Sequence, residues 1–422
     1  MKIHRMFCCL VVGISFVAGC PSGNTGGETD PNTDTREQLL KLKPNKSSRG
    51  DRFGTSVAIS GMTAIVMADR RDNARPSAPV CESGSAYLFD TNTGDQIAEL
   101  LPFDGAGGVL CWGSVAISGT TAILGAVGDG QPVVSVFVYD TTTGEKITEL
   151  IPDDGAGGIS DGFGESVAIS GSTAIVGAVF DNNNVTLNGS AYLFDTTTGR
   201  QRFKLVSDGS ASGEFFGFSV AISGQTAIVG DWGGDDACPE NRHCDSGSAY
   251  LFDTTTGEQI AKLLPNDGAL NDHFGTSVAI SGNTAIVGAT QNSTGGAAYV
   301  FDTVTGRQVF KLVPDQGENT FIFGTSVAIS GNTAIVGAPL GTNEKYDSGS
   351  LNTGLAYLFD TTTGNQIAKL GASDGADGDF FGSSVAISGS TAVVGAWSDD
   401  DACPENPDCE SGSAYVFDAT RR

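Results

Sequence analysis

The sequence predicts an all-β protein, a seven-bladed β-propeller of four-stranded antiparallel blades that is closed by its N-terminal strand completing the last blade. A stretch related to Phe274–Ala289 recurs along the chain, and its Ser-Val-Ala-Ile-Ser-Gly core occurs seven times at intervals of 49 to 58 residues. Repeats of that length are typical of propeller blades and of solenoid units. The cores begin at Ser56, Ser114, Ser166, Ser219, Ser277, Ser326 and Ser384.

Each repeat contains four short runs with the character of strands, as the fifth repeat shows. Phe274–Ser281 alternates small and branched residues, which suits a strand buried on both faces. A two-residue Gly-Asn turn follows, so Thr284–Ala289 is predicted to pair back antiparallel. Ala298–Asp302 carries aromatic residues that favour a pleated, half-buried surface. After a Thr- and Gly-containing turn, Gln308–Val313 mixes apolar and charged residues, as expected of an outer strand whose lysine discourages edge pairing.

The position of the outer run decides between a closed ring and a linear array. Its seven copies are Gln38–Leu42, Gln96–Leu100, Lys146–Leu150, Gln201–Leu205, Gln259–Leu263, Gln308–Leu312 and Gln366–Leu370. The first copy precedes every core, and the last repeat stops after Ala414–Asp418 without an outer run of its own. A linear solenoid has no reason to divide a repeat in this way, whereas a ring closed by Glu37–Lys43 leaves no open edge.

A Phe-Gly pair followed later by Gly-Ala marks most repeats, as in Phe163-Gly164 with Gly177-Ala178. This pattern resembles the FG-GAP repeat of integrin α-subunit propellers and of many bacterial surface proteins. The resemblance covers residues 37–418 and implies a fold more strongly than a function. The second repeat departs from the pattern, with Cys111-Trp112-Gly113 in place of Phe-Gly, so we expect different packing there.

The resemblance does not extend to the calcium loops that lie between the first and second strands of some blades in integrin-like propellers. Every repeat of this chain has only a two-residue Gly-X turn at that place, as in Gly282-Asn283. Two residues cannot supply the roughly six to eight oxygen ligands that calcium takes. We therefore do not expect the family's calcium site.

The N-terminal segment reads as an export signal followed by a tether. Residues 1–19 combine a basic start with an apolar run too short to span a bilayer, which predicts a lipoprotein signal peptide. Val17-Ala18-Gly19-Cys20 resembles the lipobox of bacterial lipoproteins and implies acylation of Cys20; ordinary cleavage after a small residue is the alternative. Residues 20–36 have no side chain to bury and form the predicted lipidated, flexible tether, and residues 37–422 form the propeller.

Charge and composition restrict the partners. The formal net charge is −26, and this acidic balance argues against nucleic acids and anionic lipid headgroups, because both require clustered Lys and Arg. We expect no nucleic-acid partner and a membrane attachment through the lipid alone. The predicted location is the bacterial cell envelope or surface, lipid-anchored and extracytoplasmic.

Six of the nine cysteines remain once Cys8 and Cys9 leave with the signal and Cys20 carries lipid, an even number suited to an oxidising compartment. The predicted disulfides are Cys238 with Cys244, Cys403 with Cys409, and a bridge between blades from Cys81 to Cys111. Zinc is discounted, because His243 is the only histidine near the paired cysteines and zinc needs clustered ligands.

Two matched loops carry the candidate ligand-binding residues. Residues 231–246 and 396–411 share their length, both cysteines and a tryptophan near the start. An exposed indole could stack on a sugar while neighbouring carboxylates accept hydroxyl hydrogens or share a calcium ion; alternatively, each indole packs under its own disulfide loop. The candidates are Trp232, Asp235, Asp236, Trp397, Asp400 and Asp401.

Three functions are weighed. The first is a membrane-anchored, extracytoplasmic binding or adhesion propeller that recognises a protein or glycan through the end of the ring that carries the two cysteine loops. The second is a structural scaffold in a cell-envelope complex, and the third is a carbohydrate-active enzyme. His243 and His273 are the only histidines after the signal, and no nucleophile elbow, phosphate loop or zinc-protease motif occurs. We expect a monomer with no enzymatic activity, no catalytic residue and no cofactor; calcium is the one ion left open.

Overall fold

Seven antiparallel sheets follow one another along the chain and form the seven blades of a propeller. In this computed structural model Asp34–Arg422 make one compact unit. The structure describes residues 36–69, 84–101, 110–128, 135–155, 161–181, 188–208, 215–238, 244–291, 295–315, 322–341, 353–400 and 409–420. The predicted signal peptide, Cys20 and most of the tether lie outside these residues and stay predictions.

Five blades consist of four consecutive strands each, and each strand pairs with the next in sequence. Blade 1 contains β2 (Phe53–Ser60), β3 (Thr63–Ala68), β4 (Ser85–Asp90) and β5 (Gln96–Leu100). Blade 3 contains β11 (Phe163–Ser170), β12 (Thr173–Ala178), β13 (Ser190–Asp195) and β14 (Gln201–Leu205). Blade 4 contains β15 (Ser219–Ser223), β16 (Thr226–Asp231), β17 (Ser248–Asp253) and β18 (Gln259–Leu263). Blade 5 contains β19 (Phe274–Ser281), β20 (Thr284–Ala289), β21 (Ala297–Asp302) and β22 (Arg307–Leu312). Blade 6 contains β23 (Ser326–Ser330), β24 (Thr333–Ala338), β25 (Leu355–Asp360) and β26 (Gln366–Leu370).

The other two blades differ, one by its extra strand and one by closing the ring. Blade 2 contains β6 (Leu110–Trp112), β7 (Val115–Ser118), β8 (Thr121–Gly128), β9 (Ser135–Asp140) and β10 (Lys146–Leu150), and both β6 and β7 pair with β8. Blade 7 contains β27 (Ser384–Ser388), β28 (Thr391–Ala396), β29 (Ser413–Asp418) and, as its outer strand, β1 (Gln38–Leu42). The predicted closure by the N-terminal strand is confirmed, with Lys41 opposite Tyr415 and Leu42 opposite Ala414.

The closing strand is held by a buried ion pair as well as by its ladder. The Lys41 ammonium lies 2.7 Å from Asp399 of blade 7 and 2.8 Å from Asp374, in the connection that enters the same blade. The Tyr415 hydroxyl donates to Asp399 at 2.6 Å. Blade 3 repeats this arrangement: Lys204 forms ion pairs with Asp154 and Asp181, and the Tyr192 hydroxyl donates to Asp181. The outer lysine therefore anchors its own strand inward in addition to any effect at the edge.

The hydrophobic core lies between neighbouring blades. Seven clusters of buried side chains each combine residues of two successive blades, including the last with the first. The phenylalanine of each Phe-Gly pair is fully buried and meets two aromatic rings of the third strand at steep interplanar angles, mostly edge to face. Phe274, for example, lies 5.6 Å from Tyr299 and 5.8 Å from Phe301, measured between ring centroids. This geometry suits the ring quadrupoles.

The glycines of the repeat let two backbones approach each other across every regular junction. A Cβ on Gly177 would lie 2.0 Å from the carbonyl oxygen of Gly217 in the next blade, and one on Gly337 equally close to that of Gly382. Gly217 itself has a φ of 90°, a conformation that residues with a side chain rarely adopt. Both glycines of the motif are thus required by the packing of one blade on the next.

The second serine of each core links the first strands around the ring. The second serine accepts a hydrogen bond from the turn glycine of the following blade at 3.0 to 3.2 Å. The donor and acceptor pairs are Gly119 to Ser60, Gly171 to Ser118, Gly224 to Ser170, Gly282 to Ser223, Gly331 to Ser281, Gly389 to Ser330 and Gly61 to Ser388. The last pair joins blade 7 to blade 1.

The junction between blades 1 and 2 differs, as the departure of the second repeat predicted. Met67 stands where the other blades have the glycine of Gly-Ala, and a Cβ on Gly113 would meet the Met67 methyl at 3.4 Å. A long side chain fits at Met67 because the facing blade lacks a Phe-Gly pair. Elsewhere the predicted strands agree closely with the structure: the inner hairpin of blade 5 is confirmed residue for residue, and its third strand begins one residue earlier, at Ala297.

Gly177→Ala should destabilise the protein by about 3 kcal/mol or more, because the added methyl meets backbone that cannot yield. Gly171→Ala is the matched control: its Cβ would meet nothing within 4 Å, so only the cost of a left-handed residue, about 1 kcal/mol, is expected. Equilibrium unfolding in urea measures both. Equal midpoints for the two variants would contradict the proposed role of the close approach.

Lys41→Met should destabilise the protein by about 3 to 5 kcal/mol, because it leaves the Asp399 carboxylate buried without its cation. The side chains of Lys41 and Asp399 are 14% and 3% exposed. The double variant Lys41→Met/Asp399→Asn, which removes the stranded charge and keeps an acceptor for Tyr415, should recover much of the loss. Thermal unfolding tests this, and an unchanged midpoint for Lys41→Met would refute the stabilising role of this ion pair.

Candidate functional site

The two faces of the ring are built differently. The connections between second and third strands and those between blades lie together on one face, which we call the loop face. The opposite turn face consists only of tight turns, and these are bonded to one another within each blade; the amide of Thr303, for example, donates to the carbonyl of Asn283 at 2.9 Å. Hydrogen bonds from the amide and hydroxyl of Thr305, and from the amide of Val304, lower the pKa of Asp302. The turn face is therefore uniform, and the variation lies on the loop face.

The disulfide loop of blade 4 is stabilised from within. Cys238 and Cys244 are bonded, which confirms that predicted pair. One carboxylate oxygen of Asp235 accepts the amides of Cys244 at 2.7 Å and Asp245 at 3.1 Å. Asp236 accepts the Ser248 hydroxyl and forms an ion pair with Lys262. Both candidate carboxylates thus have partners inside the protein, which define the loop conformation.

The same loop is fixed to the next blade by three backbone hydrogen bonds. The amides of Asn271, His273 and Phe274 donate to the carbonyls of Cys244, Asp245 and Ser246 at 2.7, 3.1 and 3.0 Å. These contacts place the loop against the segment that enters blade 5.

The corresponding loop of blade 7 repeats these contacts. The amides of Gly50, Arg52 and Phe53 donate to the carbonyls of Cys409, Glu410 and Ser411 at 2.7, 3.0 and 3.0 Å. Asp400 accepts the amide of Glu410 at 2.8 Å, as Asp235 does in blade 4.

The remaining predicted site residues of this region are only partly described. Cys409 is disulfide-bonded, but its predicted partner Cys403 and the candidate Asp401 lie outside the described residues. Cys81 also lies outside them, and the side chain of Cys111 is not described, so the bridge between blades 1 and 2 stays a prediction.

Each tryptophan of the two loops is half-buried within a stack. Trp232 lies flat on Phe215, with ring centroids 4.3 Å apart and an interplanar angle of 6°, and the His273 imidazole lies 4.9 Å from the indole. Trp397 lies parallel to Phe380 at 5.1 Å, and the Arg52 guanidinium lies 4.4 Å from its centroid. Each indole is therefore packed against a parallel phenylalanine and against a second group, a tilted imidazole at Trp232 and a guanidinium over the ring at Trp397.

The residues that contact the two tryptophan rings were not identified from the sequence. Each of these contacts is made by the residue immediately before a Phe-Gly pair, which we call the entry residue of its blade. The four entry residues are Phe215, His273, Phe380 and Arg52. The sequence contains one signal that could have pointed to them: the residue before the Phe-Gly pair differs from repeat to repeat although its position is fixed. At Arg52, His273, Ile322 and Phe380 the entry residue has a φ of 53° to 55°, a left-handed conformation that is uncommon for such side chains and often marks functional sites.

Buried aspartates support the entry segments. Asp51, Asp272 and Asp379 each accept the amide of the residue three positions earlier, at 2.6, 2.8 and 2.7 Å. Burial raises the pKa of Asp379 to about 7, and the nearby Asp399 adds to the shift.

Within the described ranges, no group of three His, Cys, Asp or Glu side chains has the arrangement of a metal site. Those ranges also contain no helix of the length and hydropathy needed to cross a membrane.

The comparisons with known proteins concern the repeat. A sequence profile described as the FG-GAP repeat matches residues 37–89, 145–194, 200–252, 258–301, 307–359 and 365–417, well over half of the chain. Each matched segment begins at an outer strand and ends with the third strand of the following blade. The unmatched stretch between residues 89 and 145 contains the Cys111-Trp112-Gly113 departure. A search of curated proteins finds no match.

Asp379→Asn should stabilise the protein at pH 8 and have little effect at pH 4. The folded pKa of about 7 lies above the ordinary 3.8, so the folded state binds this proton more tightly, and stability is lost as the pH rises between these values. The asparagine cannot ionise but still accepts the Ala376 amide; a gain of a few kcal/mol at most is expected at pH 8. Urea unfolding at both pH values measures it, and an equal effect at pH 4 and pH 8 would contradict the assignment.

Proposed function

Because this chain belongs to the FG-GAP repeat family, we propose that it is a membrane-anchored, extracytoplasmic binding or adhesion propeller that recognises a protein or glycan through its loop face. The observation that carries the proposal is that the same loop structure occurs twice. Two loops with matched sequences are fixed by equivalent hydrogen bonds to the blades that follow them, and each presents an aromatic stack on the same face. Binding residues are commonly carried on loops positioned by a rigid scaffold.

The chemistry of these stacks suits a ligand with apolar and polar groups side by side. Phe218, which is 38% exposed, meets the Trp232 ring edge to face at 6.2 Å and extends the aromatic surface. Half-exposed aromatic rings supply contact area at low entropic cost, and carboxylates near them accept hydrogen bonds from amides or hydroxyls. A ligand would meet Phe218 and the exposed part of each half-buried indole.

The proposed membrane anchoring and location rest on the N-terminal sequence. The acylation of Cys20 and the tether of residues 20–36 would keep the propeller on a membrane while leaving its loop face accessible. A disulfide-bonded loop suits an oxidising, extracytoplasmic compartment. We propose no catalytic activity for the face.

A scaffold role is the second candidate, and the outer strands favour it. Three positions before the last leucine of the outer strand, five blades carry an aliphatic side chain that is about half exposed: Leu39, Ile97, Ile147, Ile260 and Val309. A chain that packs against other envelope proteins would use this outer edge instead of the loop face.

Three lysine substitutions, one on each surface, separate these roles. Phe218→Lys alters the loop face, Val304→Lys the turn face at a residue 72% exposed, and Ile260→Lys the outer edge at a residue 50% exposed. Glycan-array binding and pull-down with the purified protein, with and without chelator, should weaken about tenfold or more for Phe218→Lys alone. Circular dichroism confirms that each variant is folded.

The outcomes discriminate between the candidates. Loss with Ile260→Lys alone would overturn the loop-face proposal in favour of the scaffold. Equal ligand capture by all three variants would contradict both the loop-face proposal and the scaffold proposal. Turnover of a bound glycan would point to the carbohydrate-active enzyme.

A further inference from the structure

Blades 3 and 4 differ from the others at the residue that follows the Phe-Gly pair, on the loop face. In four blades this residue is a threonine or serine whose hydroxyl donates to a backbone carbonyl of the same blade: Thr55, Thr276, Thr325 and Ser383. Blade 3 has Glu165 at this position, and blade 4 has Phe218. The two departures are neighbours, because the Ser166 hydroxyl donates to the carbonyl of Gly217 at 2.8 Å.

The Glu165 side chain lies beside a place that a glycine leaves open. The entry residue of blade 3 is Gly162, and the point where its Cβ would lie is 3.2 Å from the carboxyl carbon of Glu165 and 3.2 Å from Cδ2 of Phe180. The carboxyl carbon and this ring carbon are therefore separated by at most twice that distance. Glu165 and Phe180 are both half-buried. A carboxylate and an aromatic ring thus share one partly accessible place on the loop face.

The Glu165 carboxylate forms no hydrogen bond or ion pair with another described residue. Burial alone raises its pKa to about 7. Lys204, the lysine of the same blade, is engaged elsewhere, with Asp154 at 2.6 Å and Asp181 at 2.7 Å. Residues 156–160, 182–187 and 209–214, which adjoin the described parts of blades 3 and 4 in the sequence, include no lysine, arginine or histidine. Within the described chain, Glu165 is an acid without a counter-ion.

Elsewhere this protein combines a carboxylate and an aromatic ring with an ammonium. In five blades the ammonium of an outer-strand lysine lies 4.9 to 5.4 Å from the centroid of a third-strand ring and 2.5 to 2.7 Å from a carboxylate oxygen. These lysines are Lys41, Lys146, Lys204, Lys262 and Lys311. The ring in blade 2 is Phe137, so a phenylalanine serves as well as a tyrosine. Both groups attract a cation, and Glu165 with Phe180 offers both without a lysine.

We propose that Glu165 and Phe180 form a subsite for a primary ammonium group of the ligand, of the kind at the end of a lysine side chain. The inference rests on the proposed binding role of the loop face and narrows its ligand to a protein with an exposed lysine. Apolar parts of that protein would lie along the rings that continue from the subsite: Phe180 meets Phe215 edge to face at 6.2 Å, and Phe215 is stacked on Trp232. The net charge of −26 would favour the approach of a basic partner.

Butylammonium, which reproduces the end of a lysine side chain, is the probe, and butan-1-ol is its neutral control. Saturation-transfer nuclear magnetic resonance with the purified protein measures the affinity of each. Glu165→Gln keeps the shape and removes the charge, so butylammonium should bind about tenfold more weakly or worse, and butan-1-ol should bind as weakly as that to the unsubstituted protein. Glu258→Gln removes the same charge from an exposed turn and should have no effect. Phe180→Leu should weaken butylammonium severalfold.

The affinity should also depend on pH. The ammonium pairs with the ionised carboxylate, so butylammonium should bind about tenfold more tightly at pH ~8 than at pH ~6, on either side of the Glu165 pKa of about 7. Glu165→Gln should remove this dependence. If that variant does not fold, the unsubstituted protein decides, and an affinity that is flat over this pH range would refute the subsite.

Three further results would overturn the proposal. The first is equal butylammonium affinity in Glu165→Gln and the unsubstituted protein, and the second is an equal loss in Glu165→Gln and Glu258→Gln. The third is ligand capture that Phe218→Lys abolishes and Glu165→Gln leaves unchanged. In that case the loop face would keep its binding role, and only the ammonium subsite would be wrong.

Discussion

The backbone contact between successive blades is the constraint on which the rest of this structure depends. At each regular junction the carbonyl of one glycine approaches the α-carbon of another so closely that no side chain fits between them. The fully buried phenylalanine beside the first glycine then fills the space between the sheets, and the serines bond the inner strands together. Close packing of this kind transmits a misfit to its neighbours, because interiors at crystal-like density have little room to adjust. The near-identity of the repeats reflects this shared requirement.

The same constraint explains the exception and the placement of the variable loops. Met67 occurs where the facing blade has no Phe-Gly pair, so the two departures compensate each other across one junction. On the loop face, the backbone bonds from Cys244 and Cys409 continue the junction outward and fix each disulfide loop to the following blade. The aromatic stacks thus rest on the same junctions that hold the ring together.

The sequence predicted the features that are local or repeated. The hairpin of Phe274–Ala289, the closure by Gln38–Leu42 and the Cys238–Cys244 bond could be found because strand period, turn glycines and short cysteine spacing are visible within one segment. The partners of Trp232 and Trp397 could not, because the entry residues lie 17 residues before and 41 after one indole and are brought to it by the ring. The pairing of Lys41 with Asp399 joins opposite ends of the chain and has no local signal either.

The sequence repeat and the blade are offset by one strand. Each matched segment, such as residues 37–89, supplies the outer strand of one blade and the three inner strands of the next. The chain that crosses a junction in this way belongs to both neighbouring sheets. A substitution within one repeat can therefore fall on either of two blades, and the boundaries of the repeat do not mark the boundaries of a blade.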